Sequence, residues 1–242
     1  MPTRIRKPAP RAARPEATNE ATTATLRAMY AQLLATYGPR NWWPAESPFE
    51  VVVGAYLTQA TAWTSVERSI AALRSAGVLS VDGIRATPPD RLHVLIRPSG
   101  FVQRKAASMQ AFVSLLDARY GGSLKRMAAA PSDVLRRELL ALHGTGPETA
   151  DAILLYALGH PVFVADEYLR RVATRHGLVA DNAHYAELQQ LGDAAVASAT
   201  PEETARHSNE LHALIVEVGK RHCGSSPRCE GCPLAPFLPG GR

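Results

Sequence analysis

From residue 24 onward the apolar side chains recur at helical spacing. Leu26, Met29, Tyr30, Leu33, Leu34 and Tyr37 fall at i, i+3, i+4, i+7, i+8 and i+11 before Gly38-Pro39 ends the run, which predicts an amphipathic helix with a defined stop. The same periodicity predicts helices over about 63 to 76, 103 to 119, 131 to 141, 147 to 158, 167 to 176 and 204 to 222, the last with Leu211, Leu214, Ile215 and Val218 on one face. Two starts combine a capping box with proline at the first helical position: Ser47-Pro48-Phe49-Glu50 and Thr200-Pro201-Glu202-Glu203. In each, the hydroxyl can accept the N3 amide while the glutamate reaches back to the cap amide. Thr87-Pro88-Pro89-Asp90 is a weaker version. No alternating strand pattern and no repeat of solenoid period intervenes, so the expected fold class is all-α, with helices packed around two cores.

The 242 residues are 46% hydrophobic, which excludes disorder as the default state and leaves room for one large domain or two small ones. No stretch approaches the roughly 20 apolar residues of a membrane span, and the first residues lack the apolar core of a signal peptide. A cytoplasmic protein with no membrane partner is expected. The net charge of +5 invites a nucleic-acid reading, but Arg4, Arg6, Lys7, Arg11 and Arg14 account for it. No acid precedes Glu16, and the remaining basic residues balance the 22 acids. Four prolines, Pro2, Pro8, Pro10 and Pro15, oppose folding there, so residues 1 to 23 are expected to be a flexible basic tail, either a solvated arm or a non-specific phosphate tether.

Two helical stretches meet at His143-Gly144-Thr145-Gly146, with Pro147 suited to the first position of the second helix. Paired glycines let the backbone turn sharply and approach a bulky anion, and free amides at a helix start suit phosphate oxygens. The segment reads as a helix-hairpin-helix or as a plain αα-turn. Further on, the apolar run Pro161-Val162-Phe163-Val164-Ala165 leads to Asp166, just before a predicted helix. An aspartate there is an N-cap worth ~1 kcal/mol. It also suits chemistry, since helix-start amides keep such a carboxylate ionised, able to activate water or stabilise a cationic sugar transition state.

The form L-x-G-x-G-x-x-T-A from Leu142 to Ala150, followed by the apolar run and Asp166, resembles the helix-hairpin-helix-GPD DNA glycosylases, of which endonuclease III is the type member. Leu57-Thr58-Gln59-Ala60-Thr61 resembles that family's loop carrying a glutamine inserted into the duplex, and Phe101-Val102-Gln103-Arg104-Lys105-Ala106 resembles the entry to its next helix. The resemblance spans about residues 24 to 235. It implies a central helical barrel over 45 to 160, a second helical domain from 24 to 44 plus 161 to 242, and a DNA-binding cleft between them. It further implies duplex DNA with a damaged base as partner, contacts from His143, Gly144, Thr145, Gly146 and Thr149, action as a monomer, and a place at the nucleoid.

Departures from the type member narrow the expected activity. The lysine that attacks the sugar in endonuclease III is replaced by Glu148, and a carboxylate forms no Schiff base. A monofunctional glycosylase is therefore implied, with Asp166 directing water and Glu148 an active-site candidate that also reads as an ordinary first-turn acid. Trp42-Trp43-Pro44 and Trp63 resemble the endonuclease III-related subgroup that includes bacterial 3-methyladenine glycosylases. Indole faces suit a cationic alkylated base, and Lys220 either faces the same pocket or is a solvated helix-end lysine. The alternatives are a bifunctional enzyme for oxidised pyrimidines using a lysine elsewhere, and a non-catalytic helix-hairpin-helix DNA-binding protein. The adenine-mismatch branch, which carries an added recognition domain, is not expected of a chain that ends soon after its cysteines.

Cys223, Cys229 and Cys232 resemble the family's carboxy-terminal cluster loop, C-x6-C-x2-C-x5-C, but the first gap is five residues and Leu238 stands where the fourth cysteine would fall. A [4Fe-4S] cluster with a non-cysteine ligand, zinc held with His222, and an emptied site all remain open readings.

Overall fold

In the computed structural model, which describes residues 20–40, 42–43 and 45–240, the first helix, α1 (Glu20–Tyr37), begins before the apolar spacing predicts. Thr23 lies one turn ahead of Leu26 on the same face and is buried with it. Residues 20 to 23 therefore belong to this helix and not to the tail; the rest of the expected tail lies outside the described residues. The chain continues through α2 (Pro48–Leu57), α3 (Trp63–Ser75), α4 (Val81–Ala86), α5 (Pro89–Leu95), a single turn (Arg97–Ser99) and α6 (Val102–Tyr120). Next come α7 (Leu124–Ala128), α8 (Ser132–Leu140) and α9 (Pro147–Ala152), which runs on as a wider π-type turn over Ile153–Ala157. The last helices are α10 (Glu167–Arg175), α11 (Tyr185–Val196) and α12 (Pro201–Arg221). No β-strand forms among the described residues, and the all-α expectation holds.

The capping residues act largely as predicted. Ser47 and Thr200 accept the amides of Glu50 and Glu203, each at 3.2 Å. Glu50 does not close its box: its carboxylate turns to Arg74 at 2.8 Å and to the Glu46 amide. Thr87 is no helix start but the end of α4, its hydroxyl donating to the Gly83 carbonyl at 2.6 Å, and α5 is capped by Pro88 without a side-chain bond. The periodicity leaves α4, α7 and α11 unpredicted. The first two are shorter than two turns, and α11 contains Gly192, which ordinarily costs a helix about 1 kcal/mol. Here a β-carbon at Gly192 would lie 2.2 Å from the Phe163 ring, so close packing requires the glycine.

Two hydrophobic clusters form. One centres on α2, buried from Phe49 to Leu57, and is closed by Leu73, Phe112, Leu139 and Ile153 from the surrounding helices. The other joins Leu26, Met29 and Leu33 of α1 to Leu169, Leu188, Leu214 and Val218 of α10 to α12. Between α9 and α10 the chain is extended, and alternation there sends Val164 into the first cluster and its neighbours Phe163 and Ala165 into the second. A polar network crosses the same junction. Asp151, fully buried on α9, accepts from Arg136 of α8 at 2.7 and 3.0 Å and from Tyr185 and Gln189 of α11 at 2.8 and 2.7 Å. Both oxygens of that carboxylate are thereby bonded, Oδ1 once and Oδ2 three times, as burial of a charge demands.

Candidate active site

The hairpin between α8 and α9 turns at Gly144, whose φ of +80° favours glycine and where a β-carbon would meet Ser108 Oγ at 2.3 Å. Ser108 in turn donates to the His143 carbonyl at 3.0 Å, which seats the hairpin on α6. His143 and Gly146 are exposed. Thr145 and Thr149 are not placed as the sequence suggests. Both are buried, Thr145 paired with the Tyr56 hydroxyl at 3.0 Å and Thr149 accepting from Gln59 Nε2 at 3.0 Å. Their side chains brace the hairpin from beneath, leaving backbone amides at its surface. Gln59 also donates to the Gly144 carbonyl at 3.0 Å, tying the loop after α2 to the hairpin.

Asp166 stands at the start of α10, where the structure shows its capping role. As N-cap of α10 it accepts the Leu169 amide through Oδ1 at 2.8 Å, while Oδ2 lies 3.5 Å from His212 Nε2. Its side chain retains 12% exposure, enough to reach a ligand. Nearby, Glu148 opens onto a cavity of about 330 Å3 shared with Trp43, Gln59, Thr149, Val164 and His212, within the range of about 300–1,000 Å3 usual for small-molecule sites. The walls of that cavity desolvate the Glu148 carboxyl, and the charge of Asp166 adds to the effect, so its pKa is raised although the side chain is solvent-accessible.

The three tryptophans form one cluster. Ring centroids lie 6.1 Å apart for Trp42 and Trp43, 6.1 Å for Trp42 and Trp63, and 5.6 Å for Trp43 and Trp63. Close approach of Trp43 to α2 needs Gly54, where a β-carbon would meet the indole at 3.2 Å. Only Trp43 lines the cavity with Glu148. Trp63 lines an adjoining one of 200 Å3 with Trp43, Glu50 and Arg74, and donates its indole N–H to Glu67 at 2.8 Å. Lys220 sits with its ammonium 5.6 Å from the Trp42 ring centroid, an exposed cation–π contact away from Glu148. Pro44 lies outside the described residues.

Several residues of the site escape the sequence reading. His212 and Tyr156, bonded to each other through the imidazole Nδ1 and the phenol, line the wall behind Asp166. The signal for His212 is a polar residue on the face of α12 that otherwise buries Leu211, Leu214 and Ile215. Phe101, at the entrance to α6, is 63% exposed in the left-handed region at φ 45°, with the Arg104 guanidinium 5.1 Å over its ring. The turn beneath it is anchored by Lys105, whose ammonium is buried and donates to the carbonyls of Leu57 and Ser99 at 2.8 and 2.7 Å and to Thr61 at 2.5 Å. Burial, with the charge of Arg104, lowers that ammonium to about 8.

Cys223, Cys229 and Cys232 line one small apolar cavity of 20 Å3 with Val172, Val218 and His222. The residues do not compose a ligand set for the cluster the family suggests. Arg175 donates to Cys223 Sγ at 3.0 Å, and His222 Nδ1 is paired with the Arg228 carbonyl at 3.0 Å. Burial, then the other two sulfurs, raise the Cys232 thiol above its ordinary pKa. Among the described residues no group of three or more His, Cys, Asp or Glu is spaced to hold a metal ion. The three sulfurs thus share one cavity, and the described residues show no cluster-binding group around them.

An all-helical fold with a glycine-turned hairpin between α8 and α9 defines a helix-hairpin-helix protein. The chain matches the model of the HhH-GPD superfamily base excision DNA repair proteins over residues 53–198. It is 40% identical over 211 residues to a protein of Methanocaldococcus jannaschii provisionally named a DNA repair glycosylase, covering 86% of this chain and 93% of that one. With the endonuclease III of Bacillus subtilis it shares 28% identity over 189 residues, 78% of this chain and 79% of the other. Among solved structures, the H. pylori 3-methyladenine DNA glycosylase bound to 1,N6-ethenoadenine superposes with a TM-score of 0.68 at 27% identity, covering 83% and 97% of the two chains. An endonuclease III trapped covalently on DNA superposes with a TM-score of 0.72 at 22% identity, covering 90% and 95%, a likeness of fold. The protein belongs to the HhH-GPD superfamily of base excision repair DNA glycosylases, as the motifs imply.

Proposed function

We propose that the protein is a monofunctional DNA glycosylase that hydrolyses the N-glycosidic bond of an alkylated base in duplex DNA. The placement of Asp166 carries this reading: one oxygen caps α10 and the other remains at the cleft, beside a cavity in which Glu148 holds the position of the family's lysine. The two hydrophobic clusters support a division into a barrel domain over 45 to 160 and a second domain from 24 to 44 plus 161 to 242, with the duplex between them. Backbone amides at the hairpin surface, around His143 and Gly146, take phosphate oxygens. Gln59 and the exposed Phe101 stand on the rim to fill the space a flipped base leaves. Flipping costs a few kcal/mol, least for a damaged base.

Asp166 then orients a water towards the sugar C1′. As the C1′–N bond breaks, its electron pair leaves with the base, the water oxygen bonds to C1′, and Asp166 takes the proton. A ring-alkylated base begins cationic and departs neutral, so no general acid is required. The same positive charge suits Trp43 and Trp63, where a desolvated cation over an indole gains about 2 kcal/mol.

Lysine placement supports the absence of strand cleavage. The chain's lysines are Lys7, Lys105, Lys125 and Lys220. Lys7 lies outside the described residues, Lys105 is buried with its donors engaged, and Lys125 is exposed on α7, which lines no part of the cleft. Lys220 is held over Trp42. We place the enzyme in the cytoplasm, acting as a monomer at the nucleoid; no helix among the described residues is long and apolar enough to cross a membrane. Duplexes bearing single defined lesions, assayed with and without alkali, test the reading. Base release from methylated purines with nicking only after alkali is the expected result. Borohydride trapping of a covalent complex, abolished by Lys220→Ala, would establish a bifunctional enzyme, and excision of thymine glycol alone would reject the alkylated-base reading.

A further inference from the structure

We propose that His212 is a positioning residue of this site: anchored by Tyr156 at Nδ1, it directs Nε2–H at the free oxygen of Asp166 and fixes that carboxylate's orientation and charge. The inference rests on the glycosylase reading and adds the residues through which Asp166 is held. His212 Nε2 is buried without a hydrogen-bond partner, and Asp166 Oδ2 is the charged group it faces, at 3.5 Å. His160 Nε2 is likewise buried without a partner, so the open nitrogen alone marks nothing; what sets His212 apart is the carboxylate that nitrogen faces. Here one nitrogen is satisfied and the other points to the carboxylate at the cleft.

The tautomer follows from the two partners. A carboxylate only accepts, so a bond between the pair requires the hydrogen on Nε2. On the other side the Tyr156 phenol keeps its proton, because burial and then the charge of Asp166 push its ionisation well above the ordinary value. The phenol can therefore donate to Nδ1, which leaves Nε2 to carry the hydrogen that faces Asp166. Rotation of the ring is restricted by the Phe163 ring edge-on at 6.4 Å and the Tyr156 ring at 5.8 Å. At 3.5 Å the Nε2 to Oδ2 separation is longer than a formed hydrogen bond. Such contacts are commonly long in the free enzyme and tighten when substrate excludes water. The remaining titratable groups around the pair are Glu148 on α9 and Glu167 beside Asp166 on α10, with Glu210 on α12 acting on Tyr156.

The test is single-turnover release of 3-methyladenine from methylated duplex across pH 5 to 9 for the wild type, His212→Ala, His212→Gln and Tyr156→Phe, with melting temperature and abasic-duplex affinity measured on each. His212→Ala is expected to slow release by about 10- to 100-fold, as a misplaced catalytic group does. His212→Gln, whose amide can donate to the same oxygen, should recover part of the rate, and Tyr156→Phe should lose less than His212→Ala while keeping the fold. Abasic-duplex affinity should stay within a few-fold throughout. A wild-type rate in His212→Ala, or a His212→Gln variant no faster than His212→Ala, overturns the assignment. Wild-type protein that releases no base overturns the glycosylase reading itself.

Discussion

Asp166 is fixed by the bond that caps α10, and in the function proposed above the same bond would hold its carboxylate for chemistry. Asp166→Asn keeps a side-chain oxygen for the Leu169 amide but loses the charge. Base release should therefore fall below detection while abasic-duplex affinity changes only a few-fold, because the charge matters to the transition state and little to docking. Single-turnover kinetics and gel-shift titration check this, and wild-type-like turnover would remove Asp166 from the reaction. Lys105 shows the opposite case, an ionisable group with no free donor. It closes the end of α2 and the turn below Phe101, and its chemistry is consumed by structure. The sequence makes Asp166 and Glu148 legible through their spacing from the hairpin. His212 stays hidden because periodicity on α12 records only that its face is buried, not that a histidine there meets a carboxylate contributed by another helix.

At the level of elements, sequence patterning finds the long amphipathic helices and the caps at Ser47 and Thr200, because periodicity and capping are local properties. It misses α11, where Gly192 looks like a breaker until Phe163 is seen to occupy the space. Likewise it assigns Thr145 and Thr149 to the DNA face, because the motif reports that hydroxyls are needed but not on which side of the hairpin they lie. The hairpin itself depends on Gly144. Gly144→Ala is expected to destabilise the protein by about 1–2 kcal/mol from its positive φ alone, plus the displacement of Ser108, and to weaken duplex binding by separating the amide turn from α6. Denaturant melts and binding isotherms measure the two effects; unchanged stability would mean that the turn tolerates a β-carbon. At the cysteine loop, the Arg175 contact on Cys223 and Leu238 in place of a fourth thiol lead to a definite expectation. Protein purified without oxygen should carry well under the four irons per chain of a [4Fe-4S] cluster, by metal analysis and visible spectrum. A full complement would require the loop to rearrange around the cluster.

For the whole molecule, the polar seam between the two hydrophobic clusters makes stability depend on pH. Asp193 accepts the Phe163 amide at 2.8 Å, and burial raises its carboxyl from 3.8 to about 6, with the nearby charge of Asp151 adding to the shift. Between those two values the folded protein binds more protons than the unfolded chain, so this group's contribution is fully present below pH 3.8 and is lost as the pH climbs through about 6. Asp193→Asn keeps an acceptor for Phe163 without the ionisation. Its melting temperature should therefore gain on the wild type as pH rises across that window, and parallel curves from pH 4 to 7 would refute the shift.

The extended stretch before α10 has one more consequence. Phe163 and Val164, adjacent in sequence, are gripped by different cores, and Asp166 follows two residues later. The carboxylate we propose as reactive thus hangs from a length of chain fastened to both clusters, as a pivot pin is shared by two jaws.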